Sequence, residues 1–566
     1  MKYPSSKKIF ISLFIAGSFS LFAQTYQNPL NIPPALSANF GELRNNHFHS
    51  GLDFKTQGVV NKPVFAVADG YVSRILVSPS GYGLALYVTH PATGHTSVYG
   101  HLNRFSKSIA DYAKQKQYEQ ERFHVDLTVP PDKFPVKKGQ QIAWSGNTGG
   151  SGGPHLHFEI RDTQSEEPLD PLNFYAPSIP DTQKPDIRGI AVYPIAGKGV
   201  VNNSAEALRL TIPKSKAGVP QPLKQNLSAW GKIGLGVKAY DRMNGQNNVY
   251  GVKTIRLFVD GKQVFGSIVN RFSFGKTRQL NCFVDFEEWR ERKSFFMQSF
   301  VEPGNTLPVY QNVSNNGYID IDEERPYKFT YELEDAYGNT ETYSFIIEGI
   351  RTEIPNQPCC TQFMAWNLYN SVVDFDFFLH IPNGNLYNDC CFSFEKTPSS
   401  LYFSDIYSVN DRFVPLQNNV NAWIRLKSDS FDKRSQYGVA LIDKNGNSNW
   451  VGGIYKNGGI EFKLNELGHR YAIDVDTIAP TITPLDSAKW VQQKSIRLRL
   501  TDDKSGISSF RGSINGAFAL FSHDIKSNVY TYAFDDERLT KGKQELIFSV
   551  SDGVGNKDEF RYEFVY

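Results

Sequence analysis

Eight of the eleven histidines lie within the first 157 residues, so imidazole chemistry is concentrated at one end of the chain. His49 and Asp53 stand four apart in Asn45-Asn46-His47-Phe48-His49-Ser50-Gly51-Leu52-Asp53-Phe54. In an extended segment that even spacing points an imidazole and a carboxylate the same way, as two ligands of one cation require. His47 has the same parity and competes for the place; the spacing favours His49 and leaves His47 as a lining residue. Another histidine, His101, closes a strand-like piece at Tyr99-Gly100-His101-Leu102. The stretch Ser145 to Ile160 runs through a glycine-crowded turn into His155-Leu156-His157-Phe158-Glu159-Ile160. Alternation puts His155, His157 and Glu159 on one face of a strand and Leu156, Phe158 and Ile160 on the other. A His-x-His pair by itself also describes two surface histidines.

His49, Asp53, His101, His155 and His157 together offer two kinds of group. Three N/O ligands with an open fourth position make a catalytic zinc site, in which bound water reaches a pKa of about 7 and becomes a nucleophile. The remaining imidazoles can move protons and stabilise a developing oxyanion. Glu159 is either the outer partner of a ligating histidine or a surface carboxylate. Spacing alone does not divide the histidines between ligands and proton carriers.

The elements that must position them read as short strands. Pro63 to Ala68, Tyr71 to Val77, Ala85 to His90 and Thr96 to His101 are separated by Asp69-Gly70, Gly81-Tyr82-Gly83 and Thr93-Gly94, the signature of an antiparallel sheet. Ser106 to Phe123 interrupts this with a helical pattern, either a solvated excursion or a wall of the substrate cleft. Aromatic residues make up 14% of the chain, glycine and proline are plentiful and methionine is scarce, a balance that favours strands and turns. With 566 residues the chain exceeds one hydrophobic core. A net charge of +2 without a basic stripe argues against nucleic acid as a partner.

Residues 1–23 read as an export signal, with Lys2, Lys7 and Lys8 ahead of the apolar run Ile9 to Phe22 and Ala23 at the cleavage point. The run is short for a membrane span, and no later segment is apolar enough for one, so the mature protein is expected to be periplasmic or secreted. Disulfides are therefore permitted among Cys282, Cys359, Cys360, Cys390 and Cys391. At most one clean bridge is easy to picture, its connectivity open. Ala176 to Pro185 is a candidate linker. Beyond it Asp-x-x-Gly-Asn recurs at Asp335, Asp443 and Asp552, each time after an apolar strand. This predicts a repeated hairpin turn and three β-sandwich modules of immunoglobulin-like type, over 186–353, 354–476 and 477–566. Acidic pairs such as Asp502-Asp503 are explained either by turn chemistry or by calcium.

The chain resembles the lysostaphin/LytM family of zinc endopeptidases that cut bacterial cell-wall peptides. His49-Ser50-Gly51-Leu52-Asp53 fits H-x-G-x-D, Tyr99-Gly100-His101-Leu102 the central histidine motif, and Gly153-Pro154-His155-Leu156-His157-Phe158 the terminal H-x-H. Pro63 to Gly70 and Ser145 to Gly149 match as well. The resemblance runs from about Phe40 to Asp162. It implies a small antiparallel β catalytic domain, here within 24–180, with one Zn2+ on His49, Asp53 and His157 and with His101 and His155 as the catalytic pair. Its substrates would be stem or cross-link peptides of peptidoglycan, with wall glycan or protein contacts left to the C-terminal modules. The helix at Ser106 to Phe123 and the long C-terminus depart from the family pattern. Two other functions fit part of the sequence: a catalytically silent cell-wall regulator, or an adhesion protein working through its sandwiches.

Overall fold

In this computed structural model residues 26–174, 181–356, 360, 362–534 and 538–566 are described. The export segment, Cys359 and residues 175–180 of the linker lie outside them. The chain is mainly β, in several antiparallel sheets with few helices. No helix among the described residues is long and apolar enough to cross a membrane.

Alternating apolar residues produce the main sheet of the N-terminal unit. Its strands are β1 (Leu36–Ala38), β2 (Leu52–Lys55), β3 (Gly70–Val77), β4 (Leu84–His90), β5 (His95–Leu102), β6 (Val125–Thr128) and β7 (His155–Asp162). They lie side by side in the order β1-β2-β7-β5-β4-β3-β6. The last long strand of the unit is therefore inserted inside the sheet, between the strands that carry the first and second histidine motifs. Phe54, Tyr99, Leu156, Phe158 and Ile160 turn to one face and are buried. Phe158 packs edge-on against Phe54 and Tyr99. Truncating any one of these aromatics should cost about 3–5 kcal/mol.

The predicted helix is α1 (Lys107–Glu119), and it buries Ile109, Ala113 and Gln117, one residue per turn. Its other side is not simply solvated. Tyr118 meets Phe518 and Arg538, and Glu121 just beyond pairs with Arg511, so the insertion is where the last module docks. Between them lies a cavity of about 550 Å³ that reaches Asn103 and Thr148.

Beyond the linker, the first module is built on one nine-stranded sheet, the second on an eight-stranded sheet, and the third on separate three- and four-stranded sheets. Each Asp-x-x-Gly-Asn segment forms the predicted turn. In the first, Asp335 Oδ1 accepts from the Asn339 N–H while the Asn339 amide donates to Oδ2; Asp443 with Asn447 and Asp552 with Asn556 do the same. Cys360 and Cys391 are bridged, and Cys282 and Cys390 are buried thiols. The N-terminal unit and first module share one apolar core running from Tyr26 to Ile347. Phe40 stacks on Phe272, and Phe48 packs against Phe272 and Phe283.

Candidate metal centre

Strand pairing brings distant residues together. On β7, His157 lies opposite Asp53 of β2 and Gly100 of β5. His49 sits one tight turn before β2, and Gly51 is required in that turn. A Cβ there would lie 2.2 Å from the Phe158 carbonyl oxygen, closer than any side chain tolerates.

Three ligand-type atoms converge. His49 Nε2 is 3.1 Å from Asp53 Oδ1 and 3.1 Å from His157 Nδ1, and His157 Nδ1 is 2.9 Å from Asp53 Oδ1. All three residues are buried. Tetrahedral zinc bonds of 2.0–2.1 Å place ligand atoms about 3.3–3.4 Å apart, close to this spacing. The outer hydrogen bonds fix the tautomers. His49 Nδ1 lies 2.7 Å from the Asn39 carbonyl and must donate to it, which leaves a lone pair on Nε2. His157 Nε2 lies 2.8 Å from Glu159 Oε1 and donates there, which leaves a lone pair on Nδ1. Two lone pairs and a carboxylate oxygen thus face one point, and that set needs a cation. Burial disfavours a proton on His157, yet Asp53 and Glu159 more than offset this and raise its pKa to about 9. The site demands positive charge, which a proton or a metal ion can supply.

Glu159 is fully buried, so the surface reading of this residue is wrong. Its Oε1 also accepts from Ser50 at 2.5 Å and Tyr82 at 2.6 Å, and Oε2 accepts from Arg161 at 2.6 Å. Burial alone would raise its pKa, but Arg161 and His157 hold it well below the usual carboxylate range. Asp53 is likewise held low against its burial, chiefly by His49 and the hydrogen bonds of His155 and His157.

His101 reaches the same place by an irregularity. On a regular strand it would share the core-facing side of Tyr99. Between Tyr99 and Leu102 strand β5 carries one residue more than its partner β4, and His101 adopts a left-handed φ of 57°. This bulge turns the ring out of the core to within 4.8 Å of His155 and 5.8 Å of His157, centroid to centroid. Burial, then the neighbouring His157 and His155, push its pKa down to about 3. Its Nδ1 bonds the Thr148 carbonyl at 2.8 Å. His155 bonds the Gly153 carbonyl through Nδ1 at 2.8 Å and turns Nε2 toward Asp53 Oδ1, 3.5 Å away. His47 stays exposed, bonded to Asn45, outside the triad.

Tyr82, Arg161, Asn39 and Thr148 also hold the site; none is named as a site residue from the sequence, although Tyr82 lies between two turn glycines, Arg161 continues the alternation of His157 and Glu159, and Thr148 lies in the matching stretch Ser145 to Gly149. Remote parts of the chain fix two of them. Asn39 exchanges two 2.9 Å hydrogen bonds with Gly251 of the first module. Gly149, beside Thr148, donates to Asp524 of the last module at 2.8 Å and accepts from Lys526.

Residues 124–171 match the peptidase family M23 model, and residues 361–476 match a Zu5-like domain. The N-terminal unit resembles the lysostaphin/LytM type. An uncharacterized metalloprotease of Haemophilus influenzae is 37% identical over 113 residues, 20% of this chain and 18% of that protein. The DD-carboxypeptidase/endopeptidase Mpg of Neisseria meningitidis serogroup B is 31% identical over 136 residues, 24% of each chain. The chain thus spans a quarter or less of the length of these M23-type relatives. Among solved structures, the catalytic domain of lysostaphin from Staphylococcus simulans is 26% identical, covering 24% of this chain and 87% of that domain at a TM-score of 0.18.

Proposed function

We propose that the chain is an exported zinc-dependent endopeptidase that hydrolyses peptide cross-links of bacterial peptidoglycan. The observation that carries this reading is the convergence of His49 Nε2, Asp53 Oδ1 and His157 Nδ1 within 3.1 Å of one another, both imidazole lone pairs turned inward. These three would hold one Zn2+. Bound there, the ion would acidify a coordinated water and polarise the carbonyl under attack. The substrate class rests on the lysostaphin/LytM resemblance and on the DD-carboxypeptidase/endopeptidase activity named for the neisserial relative.

His101 and His155 form the catalytic pair. With Nδ1 bonded to the Thr148 carbonyl, the free nitrogen of His101 is Nε2, which can take a proton from the attacking water and return it to the leaving amine. His155 presents Nε2 beside the Asp53 carboxylate, placed to steady the developing oxyanion. Glu159 holds the His157 ring, and Ser50, Tyr82 and Arg161 hold Glu159. The three C-terminal modules, of immunoglobulin-like type, would brace the site and contact the wall.

The test uses the mature full-length protein on cross-linked muropeptides, with products read by mass spectrometry. Cleavage is expected with one zinc per chain, and neither chelation nor His157→Ala should leave any. Cleavage that survives chelation refutes the zinc assignment. Absence of both zinc and cleavage would make the chain a silent regulator instead.

A further inference from the structure

Three aspartates meet where the linker enters the first module. Asp181 lies at the linker exit, Asp241 directly follows the strand Ser228–Tyr240, and Asp335 opens the Asp-x-x-Gly-Asn turn. One carboxylate oxygen from each falls within 4.8 Å of the others. Turn chemistry accounts for Asp335 and for one oxygen of Asp181, whose Oδ1 accepts from the Gln183 and Asn244 N–H groups, but not for the meeting of the three. The middle module makes the contrast: Asp443 makes the same turn with Asn447, is only half-buried, and belongs to no such group among the described residues.

The other two carboxylates are buried without being satisfied. Asp241 is 1% exposed and its Oδ1 has no hydrogen-bond partner among the described residues; Asp181 is 9% exposed and its Oδ2 has none. Leaving buried carboxylate oxygens facing one another is strongly unfavourable unless a cation or protons intervene.

The arrangement is also repeated. In the last module Asp476, Asp502 and Asp552 form a second triad. Asp181 stands five residues ahead of the strand opening at Asp186, and Asp476 five ahead of the strand opening at Thr481. Asp241 and Asp502 each directly follow a strand, and Asp335 and Asp552 each open the turn. In both modules the turn asparagine also donates to the linker aspartate's carbonyl, Asn339 to Asp181 at 3.4 Å and Asn556 to Asp476 at 3.1 Å.

We propose that Asp181, Asp241 and Asp335 form a Ca2+ site that ties the linker to two loops of the first module and stiffens its junction with the N-terminal unit. An all-oxygen set of carboxylates suits a hard cation, and calcium accepts the six to eight loosely arranged oxygens that such loops and solvent can provide. Zinc prefers the nitrogen-rich site described above.

The experiment is calcium titration of the zinc-loaded full-length protein by calorimetry, with melting temperature followed in parallel. Wild type is expected to bind calcium and to melt several degrees higher at a hundredfold excess over Kd. Asp241→Asn should bind one calcium fewer per chain and lose most of that rise. Because the change removes like-charge repulsion, the variant should melt no lower than wild type without calcium, so misfolding cannot imitate the result. Equal stoichiometry in the two proteins, or no calcium response in wild type, overturns the proposal. Zinc content and muropeptide cleavage are read separately, so failure here leaves the hydrolase reading untouched.

Discussion

Glu159→Gln tests the outer layer of the metal centre most sharply. Two effects are superimposed. The amide can still accept from His157 Nε2–H through its oxygen, but the negative charge that makes His157 a strong ligand is gone. Loss of such an outer partner weakens metal binding about 10–100-fold, or roughly 1.4–2.7 kcal/mol. The Arg161 guanidinium, its side chain 6% exposed and 2.6 Å from Oε2, would lose its carboxylate as well. Breaking one side of a buried ion pair costs about 3–5 kcal/mol of stability. The double change Glu159→Gln with Arg161→Met removes the stranded cation, so it should recover much of the stability and none of the metal affinity. Zinc affinity is measured by competition with a fluorescent chelator, stability by denaturant melts on the zinc-free chain. A folded Glu159→Gln protein that binds zinc within twofold of wild type would show that Glu159 does not tune His157, and the reasoning would fail.

His101→Ala and His155→Ala should keep stoichiometric zinc yet lose about 10²–10⁴-fold in muropeptide cleavage, whereas His49→Ala should lose the zinc; zinc loss in the first two would make them ligands. A chain ending at residue 180 exposes Phe40 and Phe48 and frees Asn39, a loss of roughly 3–6 kcal/mol from burying two aromatic rings, comparable with the stability of a whole domain. It should melt without cooperativity by circular dichroism; a stable fragment with wild-type zinc affinity would contradict the shared core. In calcium-free buffer Asp241 keeps its proton up to about pH 8 when folded, against an unfolded value near 3.8. Its stabilising contribution is therefore complete below about pH 4 and lost as pH rises through 8. Melts across that window should fall for wild type and flatten for Asp241→Asn.

The sequence alone determined what depends on local spacing. Strand alternation placed His155, His157 and Glu159 on one face, the glycines marked the turns, and Asp-x-x-Gly-Asn announced a hairpin whose hydrogen bonds close within five residues. Motif spacing was enough to pick out all five candidate site residues. What only the tertiary structure decided depends on partners remote in the chain. The insertion of β7 between β2 and β5 sets the ligand distances. The bulge that swings His101 out of the core exists only because β5 must register against β4. Glu159 looked equally fit for the surface, because its burial is created largely by Ser50 and Tyr82, which its own strand pattern does not reveal; only Arg161, two residues on, shares its face by alternation. The same holds for the linker aspartates: Asp181 and Asp335 are 154 residues apart and repel one another, so no local propensity could bring them together. Folding of the first module does, and the resulting unpartnered carboxylate oxygens are a property of the fold rather than of any segment.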